Sequence, residues 1–350
     1  MAWQTPKTNW GQPGQTVPVA TDFNRIEGNT RYLKDEIDSR VATMGRENDI
    51  YVAKIGSLFE FTPLKANYDY ISTMATDDEF VYVGGLSQTV KKLNKSDLSL
   101  VAESVNYGGT ISVIAVDNNY VYVGGYNPQT VRKLNKSNLS QVAESANYGG
   151  EIEAIAVDDN YVYVGGATTR TVKKLNKSDL SQVAESTKYG STIYAIATDD
   201  EFVYVGGKVT QTVKKLNKSD LSQVAESANY GGTISVIAVD DNYVYVGGGA
   251  ARTVRKLRKS DLSQVSESAG YGGFIYAIAT DDEFVYVGGA ARTVRKLRKS
   301  DLSQVAESTN YGGTIYAIAT DNEFVYVGGT TPYLRVIENR DLIKIIRRYQ

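Results

Sequence analysis

From about Tyr70 onward the chain is a succession of short apolar-rich runs, each closed by glycine or by a cluster of Asp, Asn and Ser. One unit shows the pattern. In Thr110–Val116, Ile111, Val113 and Ala115 fall on one face and Ser112, Ile114 and Val116 on the other, which predicts a strand partly buried on both faces. Asp117-Asn118-Asn119 is a turn. Tyr120–Val123 is a second β-rich run, ended by Gly124-Gly125. Thr130–Leu134 is a third, ended by Lys136-Ser137-Asn138, and Gln141–Ser145 is a fourth, followed by Tyr148-Gly149-Gly150.

The unit recurs. Val-Tyr-Val-Gly-Gly starts at Val81, Val121, Val162, Val203, Val244, Val285 and Val325, always 40 or 41 residues apart. A fixed period of this size marks a repeat architecture. Four strands per period over seven periods predict an all-β fold, a seven-bladed β-propeller spanning residues 70–350, with blades beginning near 70, 110, 151, 192, 233, 274 and 314. The last repeat carries further strand-like runs at Tyr333–Glu338 and Leu342–Tyr349, so the ring is expected to close in sequence order. Residues 51–69 read as a linker or an extra outer strand, because Lys65-Ala66-Asn67-Tyr68 echoes Ser145-Ala146-Asn147-Tyr148.

Residues 1–50 do not repeat. After Thr21-Asp22, a potential N-cap, Phe23, Ile26, Thr30, Leu33, Ile37, Val41 and Met44 recur every three or four positions. This predicts an amphipathic helix near residues 22–44 with a narrow apolar seam. Such a helix cannot bury its seam alone. It either packs on the propeller or assembles copies of the chain, with a trimer expected through Phe23, Ile26, Leu33, Ile37 and Val41.

Composition then removes several chemistries. The chain has no cysteine and no histidine, and a formal net charge of -2. Thiolate chemistry is excluded, and the commonest metal ligand and neutral-pH proton carrier is missing. Bulk attraction to nucleic acid is not expected. No apolar run reaches the roughly 18 residues of a membrane span, and the first residues lack the apolar core of a signal peptide. No metal, cofactor or catalytic residue is expected.

The repeats resemble seven-bladed propellers with short hairpin loops, of the quinoprotein-like and NHL-like kinds, without the Gly-His and Trp-Asp dipeptides of WD40 blades. At the N-terminus, Trp3-Gln-Thr-Pro-Lys-Thr-Asn-Trp10, Asp22-Phe-Asn-Arg-Ile-Glu27, Asn29 and Tyr32-Leu33 resemble the opening segment of tail and baseplate proteins from phages and prophages of Gram-positive bacteria. That resemblance implies a virion tail protein, made in the bacterial cytoplasm. Its N-terminal anchor would meet other tail or baseplate proteins, and its propeller would bind a host surface glycan or another virion part.

Four repeated features have competing readings. The acidic turns, such as Asp158-Asp159, suit either Ca²⁺ or hairpin turns in which Asp accepts backbone N–H groups. The basic third strands, such as Thr-Val-Lys-Lys-Leu-Asn-Lys from Thr89, suit either phosphate binding or protection of outer strands. The Gly-Gly pairs suit either phosphate loops or places needing positive φ or close approach, and with no Lys-Ser/Thr or helix following they read as the latter. The seven Tyr residues from Tyr82 to Tyr326 suit either a ligand cage or packing between blades, and read as the latter.

Where the copies differ is more telling. Turns one and three are nearly constant, whereas the second loop and the residues leading into strand one vary. In an up-and-down blade, loops two and four share a face. Variation therefore gathers on one face, around the mouth of the central channel, as ligand binding or as drift on an exposed surface. The candidate ligand contacts are Tyr70, Glu151, Glu153, Tyr194, Phe274, Tyr276 and Tyr316, with Arg170, Lys208, Arg252 and Arg292 as outer contacts. Aromatic and carboxylate groups suit sugars or peptides. Glu151 and Glu153, both on one blade, make a poor acid/base pair, so hydrolase or lyase chemistry is disfavoured. The expected function is non-enzymatic binding, by a tail-associated protein or by a free propeller lectin or protein-interaction scaffold.

Overall fold

The structure is a computed structural model, and it describes residues 50–347 with residue 322 excepted. The helix expected near Asp22–Met44, with Phe23, Ile26, Leu33, Ile37 and Val41, lies outside the described residues. Among the described residues the secondary structure is all strand.

Residues 60–338 form one compact unit. It contains seven four-stranded antiparallel sheets, whose inner strands begin at Ile71, Ile111, Ile152, Ile193, Ile234, Ile275 and Ile315. Each inner strand packs beside the next, and the strand at Ile315–Thr320 packs beside Ile71–Thr76, so the ring is closed. This is a seven-bladed propeller of four-stranded blades.

Closure does not follow sequence order. The seventh blade takes its outer strand from Phe61–Asn67, which pairs antiparallel with Tyr333–Glu338. The expected fourth strand of that blade lies instead in Arg340–Arg347, which pairs with Ile50–Leu58 in a separate two-stranded sheet. The physical reason lies in what each segment offers the blade. Phe61–Asn67 brings Leu64 and Ala66 against buried Leu334 and Val336. Its end, Ala66-Asn67-Tyr68, also reproduces the segment that follows strand four elsewhere. Tyr68 N–H donates to the Pro332 carbonyl at 2.9 Å, as Tyr148 N–H donates to that of Gln129.

Blades are joined by buried tyrosines. Tyr82, Tyr122, Tyr163, Tyr204, Tyr245, Tyr286 and Tyr326 are fully buried, and all of these but Tyr286 are seen packing into the core cluster of the following blade. Burying the hydroxyl requires a partner. The first Asp of turn one supplies it, Tyr163 Oη donating to Asp158 at 2.9 Å. The same carboxylate accepts the N–H groups of Asn160 and Tyr161 and pairs with Lys218 of the next blade at 2.8 Å. These acidic turns are thus hairpin turns with their first carboxylate filled by protein donors.

The basic third strands do more than protect an edge. Lys174 is buried, with its ammonium 3.7 Å from the Tyr161 ring centroid and donating to the Lys218 carbonyl of the next blade at 2.7 Å. Lys92, Lys133, Lys215 and Lys256 repeat both contacts. A cation held against a ring and a carbonyl out of water is a cross-blade staple.

Candidate functional site

Every inner strand carries a β-bulge at its second residue. In the third blade Ile152 pairs with Gly166 and Ala154 with Gly165, so Glu153 is the extra residue. A bulge leaves one residue unpaired and re-aims its side chain. The equivalent residues are Ser72, Ser112, Tyr194, Ser235, Tyr276 and Tyr316. All seven bulge residues line one cavity of about 580 Å³ at the centre of the ring.

The Gly-Gly pair of each blade makes this possible. A Cβ on Gly166 would overlap the Glu151 carbonyl oxygen, and one on Gly85 or Gly289 would overlap that of Tyr70 or Phe274. The first glycine of the pair serves the neighbouring blade, since a Cβ on Gly165 would lie 2.7 Å from Ile193 Cγ2. These pairs therefore exist for close approach. The second set, at Gly108, Gly149, Gly190, Gly231, Gly272 and Gly312, is where φ is positive.

Loops two and four meet on the face where the cavity opens, Tyr107 N–H donating to the Gln88 carbonyl at 2.7 Å. The mouth is not symmetric. On one side the Phe274 and Tyr276 rings stack with centroids 6.3 Å apart, Tyr276 lies 4.9 Å from Tyr316, and Tyr316 lies 5.3 Å from Tyr70. This aromatic arc crosses three blades. The Arg252 guanidinium caps its end, 5.6 Å from the Phe274 centroid. Burial pushes the Tyr70 hydroxyl well above its ordinary pKa, and the charge of Tyr316 and a hydrogen bond with it add to this.

On the other side stand two carboxylates. Burial pushes Glu153 up to about 7, and the charge of Glu151 adds to the shift. Burial also raises Glu151. Tyr194 is raised by burial and by the charges of both glutamates. Among the described residues no hydrogen bond or ion pair reaches the carboxylate of Glu153. Lys208 lines the same cavity from the fourth blade and is exposed.

Of the residues expected from sequence, Glu153, Tyr194, Lys208, Phe274, Tyr276 and Tyr316 line the cavity. Tyr70, Arg252 and Glu151 adjoin those residues. Arg170 and Arg292 are exposed on second loops and do not line it. Both are left-handed, with φ of 59° and 67°, and their carbonyls accept Tyr189 and Tyr311 N–H. Gln88, Gln129, Gln211 and Arg252 occupy the same backbone position, so the residue there serves the loop first.

Sequence reasoning missed the apolar floor, which includes Met74, Val113, Ile278 and Ile318, because these positions look like ordinary strand core. It also missed Leu86, Tyr126 and Val209, which project from second loops at 56%, 60% and 68% exposure. Their signal was large apolar residues in a segment that other blades fill with Ala, Thr or Gly. On the opposite face, shallow recesses are lined by the acidic turns, but their first aspartates are engaged by lysines of the next blade.

No family model matches the chain. No curated protein matches it either. Solved structures do. The chain is similar to the WD40 propeller domain of Doa1 (TM-score 0.68, 16% identity, 81% of this chain and 97% of that one). It is also similar to the WD40 repeats of RRP9 (TM-score 0.71, 14% identity, 83% and 98%). The computationally designed protein Ika8 is another match (TM-score 0.65, 15% identity, 81% and 100%). At these identities the likeness is one of fold, and it places the chain in the class of β-propellers.

Proposed function

We propose that this protein is a non-catalytic recognition module that docks a partner protein across the channel mouth. The observation that carries the reading is the asymmetric mouth itself, an aromatic arc over Phe274, Tyr276, Tyr316 and Tyr70 facing Glu151 and Glu153 across one cavity. The exposed apolar side chains of Leu86, Tyr126, Val209 and Phe274 stand on the same face. Clustered exposed apolar groups around a polar-lined cavity suit protein docking, where aromatic anchors carry much of the energy. The same arc also favours a second reading, a glycan whose sugar ring stacks on Tyr276 and Tyr316.

In this reading the N-terminal 50 residues are the anchor that brings copies together and attaches them to a phage tail or baseplate. Support for that part is the N-terminal resemblance and the apolar seam. Light scattering of the full chain against a version starting at residue 50 tests it, with a trimer expected for the full chain alone.

For the mouth, a display library of random linear peptides and a glycan array are screened against the full chain and against Tyr276→Ser/Tyr316→Ser. Serine fits this bulge, since Ser72, Ser112 and Ser235 occupy it in other blades. Peptides that bind the wild type and not the double variant support protein docking. Glycans that do so favour the second reading. Binding by neither class, or binding untouched by the double substitution, overturns recognition at the mouth.

A further inference from the structure

The recognition reading leaves open what the mouth selects for, and the two glutamates bear on that. Glu153 is an extra bulge residue lining the cavity, and Glu151 lies two residues before it, just ahead of the strand that begins at Ile152. A partly desolvated carboxylate is costly unless a hydrogen bond or an opposite charge compensates it. The rest of the molecule obeys this rule closely. Six first aspartates of turn one, Asp77, Asp117, Asp158, Asp199, Asp240 and Asp321, each collect backbone and tyrosine donors and a lysine of the next blade. Glu144, Glu267 and Glu307 likewise take a threonine hydroxyl and an arginine. Glu153 departs from it: among the described residues nothing donates to its carboxylate, and the charge that bears on it is that of Glu151, of the same sign.

A divalent metal is a poor match for these two glutamates. Among the described residues no group of three or more acidic, histidine or cysteine side chains could hold one, and calcium takes six to eight oxygens. A single organic cation needs fewer partners, and the opposite wall is built for it. The faces of Tyr276, Tyr316 and Phe274 attract a desolvated cation through their quadrupoles. The apolar floor at Met74, Ile278 and Ile318 suits the methylene stem of a long side chain.

We infer that the channel mouth is a socket for a basic side chain, Lys or Arg, inserted by the partner protein, with its charge seated between Glu153 and Glu151 and its stem against the aromatic arc. This inference rests on the docking reading above. The cation would compensate both carboxylates at once, so binding would draw the Glu153 proton off. The groups facing that carboxylate are Glu151, Tyr194 and, from the fourth blade, Lys208. Affinity therefore rises as pH rises through the neutral range, where Glu153 gives up its proton.

The test uses peptides selected by the full chain at about pH 8, above the range where Glu153 titrates. In those whose binding is lost in Tyr276→Ser/Tyr316→Ser, each Lys is replaced by norleucine and each Arg by citrulline, and affinity is measured by titration calorimetry. The expected result is one basic residue per peptide whose neutral replacement weakens binding by about tenfold or more. Glu153→Gln abolishes that difference, and Glu153→Ser does the same, as a second variant with a residue already tolerated at this bulge. Mouth-binding peptides that lose nothing on neutral replacement, or that keep their preference in both Glu153 variants, overturn the socket while leaving docking at the mouth intact. If no selected peptide depends on Tyr276 and Tyr316, the docking reading falls and the socket with it.

Discussion

Lys136 on the second blade places its ammonium 2.7 Å from the carboxylate of Asp77 on the first. The relation repeats around the ring and crosses the closure, where Lys95 of the first blade meets Asp321 of the seventh at 2.8 Å. Burial alone would raise Asp77, but Lys136, the Phe80 and Glu79 N–H groups and Tyr82 outweigh it and hold the carboxyl below its usual range. Asp117, Asp158 and Asp240 are lowered against the same burial cost, with the paired lysine the largest opposing cause. A carboxylate with a depressed folded pKa contributes stability above its unfolded pKa of about 4 and loses it as pH falls through the folded value. The fold is therefore expected to weaken cooperatively below about pH 4. Guanidinium denaturation at neutral and acid pH checks this. Asp158→Asn should lower the neutral-pH stability by about 1–3 kcal/mol and flatten the acid dependence.

Glu153 has the opposite sign. Its folded pKa is raised, to about 7, so its stabilising contribution is complete below the unfolded value near 4.5 and is lost as pH rises through the folded one. Glu153→Gln is expected to stabilise the free protein at about pH 8, by on the order of 1–2 kcal/mol, and to leave it unchanged at about pH 4. Melting curves at the two pH values show this directly. A stabilising substitution at a mouth residue is the signature of a group kept for binding rather than for folding.

Two glycine substitutions separate steric from conformational cost. Gly166→Ala puts a methyl into the Glu151 carbonyl oxygen, against backbone atoms of Glu151 and Ile152 rather than a side chain that could swing away. Gly231→Ala meets nothing within 4 Å but must adopt φ of +87°. The second is expected to cost about 1–2 kcal/mol. The first should cost more, about 3 kcal/mol or above, as overpacking against fixed backbone. Equal melting temperatures for the two variants would contradict the close-approach role.

The closing strand is a further point of weakness. A chain beginning at Asp69 lacks Phe61–Asn67 and leaves Tyr333–Glu338 as an unpaired edge beside exposed Leu334 and Val336, which are buried in the full ring. Such an edge invites aggregation. Thermal denaturation should show a markedly lower, irreversible transition, whereas a chain beginning at residue 60 retains the closing strand and should unfold as the wild-type ring does.

Much of this was legible in the chain. The fixed 40/41-residue period and the alternation within each run define blade and strand, because seven near-identical units leave little freedom in register. Closure was written there too, in Ala66-Asn67-Tyr68, but the strand-like run at Leu342–Tyr349 competed for the same place. What decides between them is the packing of Leu64 and Ala66 on Leu334 and Val336, which no local pattern reports. The mouth was legible because Glu153, Tyr276 and Tyr316 stand where other blades carry serine. The bulge that turns these side chains into one cavity was not, since it arises from Gly166 and its equivalents allowing two residues to face one. Nor could an Arg or Gln in the left-handed region at position 170 or 88 be read from residue type.

The most direct measurement of the central claim is a crystal structure of the full chain with the strongest peptide selected by it. The account predicts the peptide over the face of loops two and four, in contact with Phe274, Tyr276 and Tyr316 and entering the cavity beside Glu153. A peptide seated on the acidic-turn face, or paired along an outer strand such as Gln182–Glu185, would contradict it.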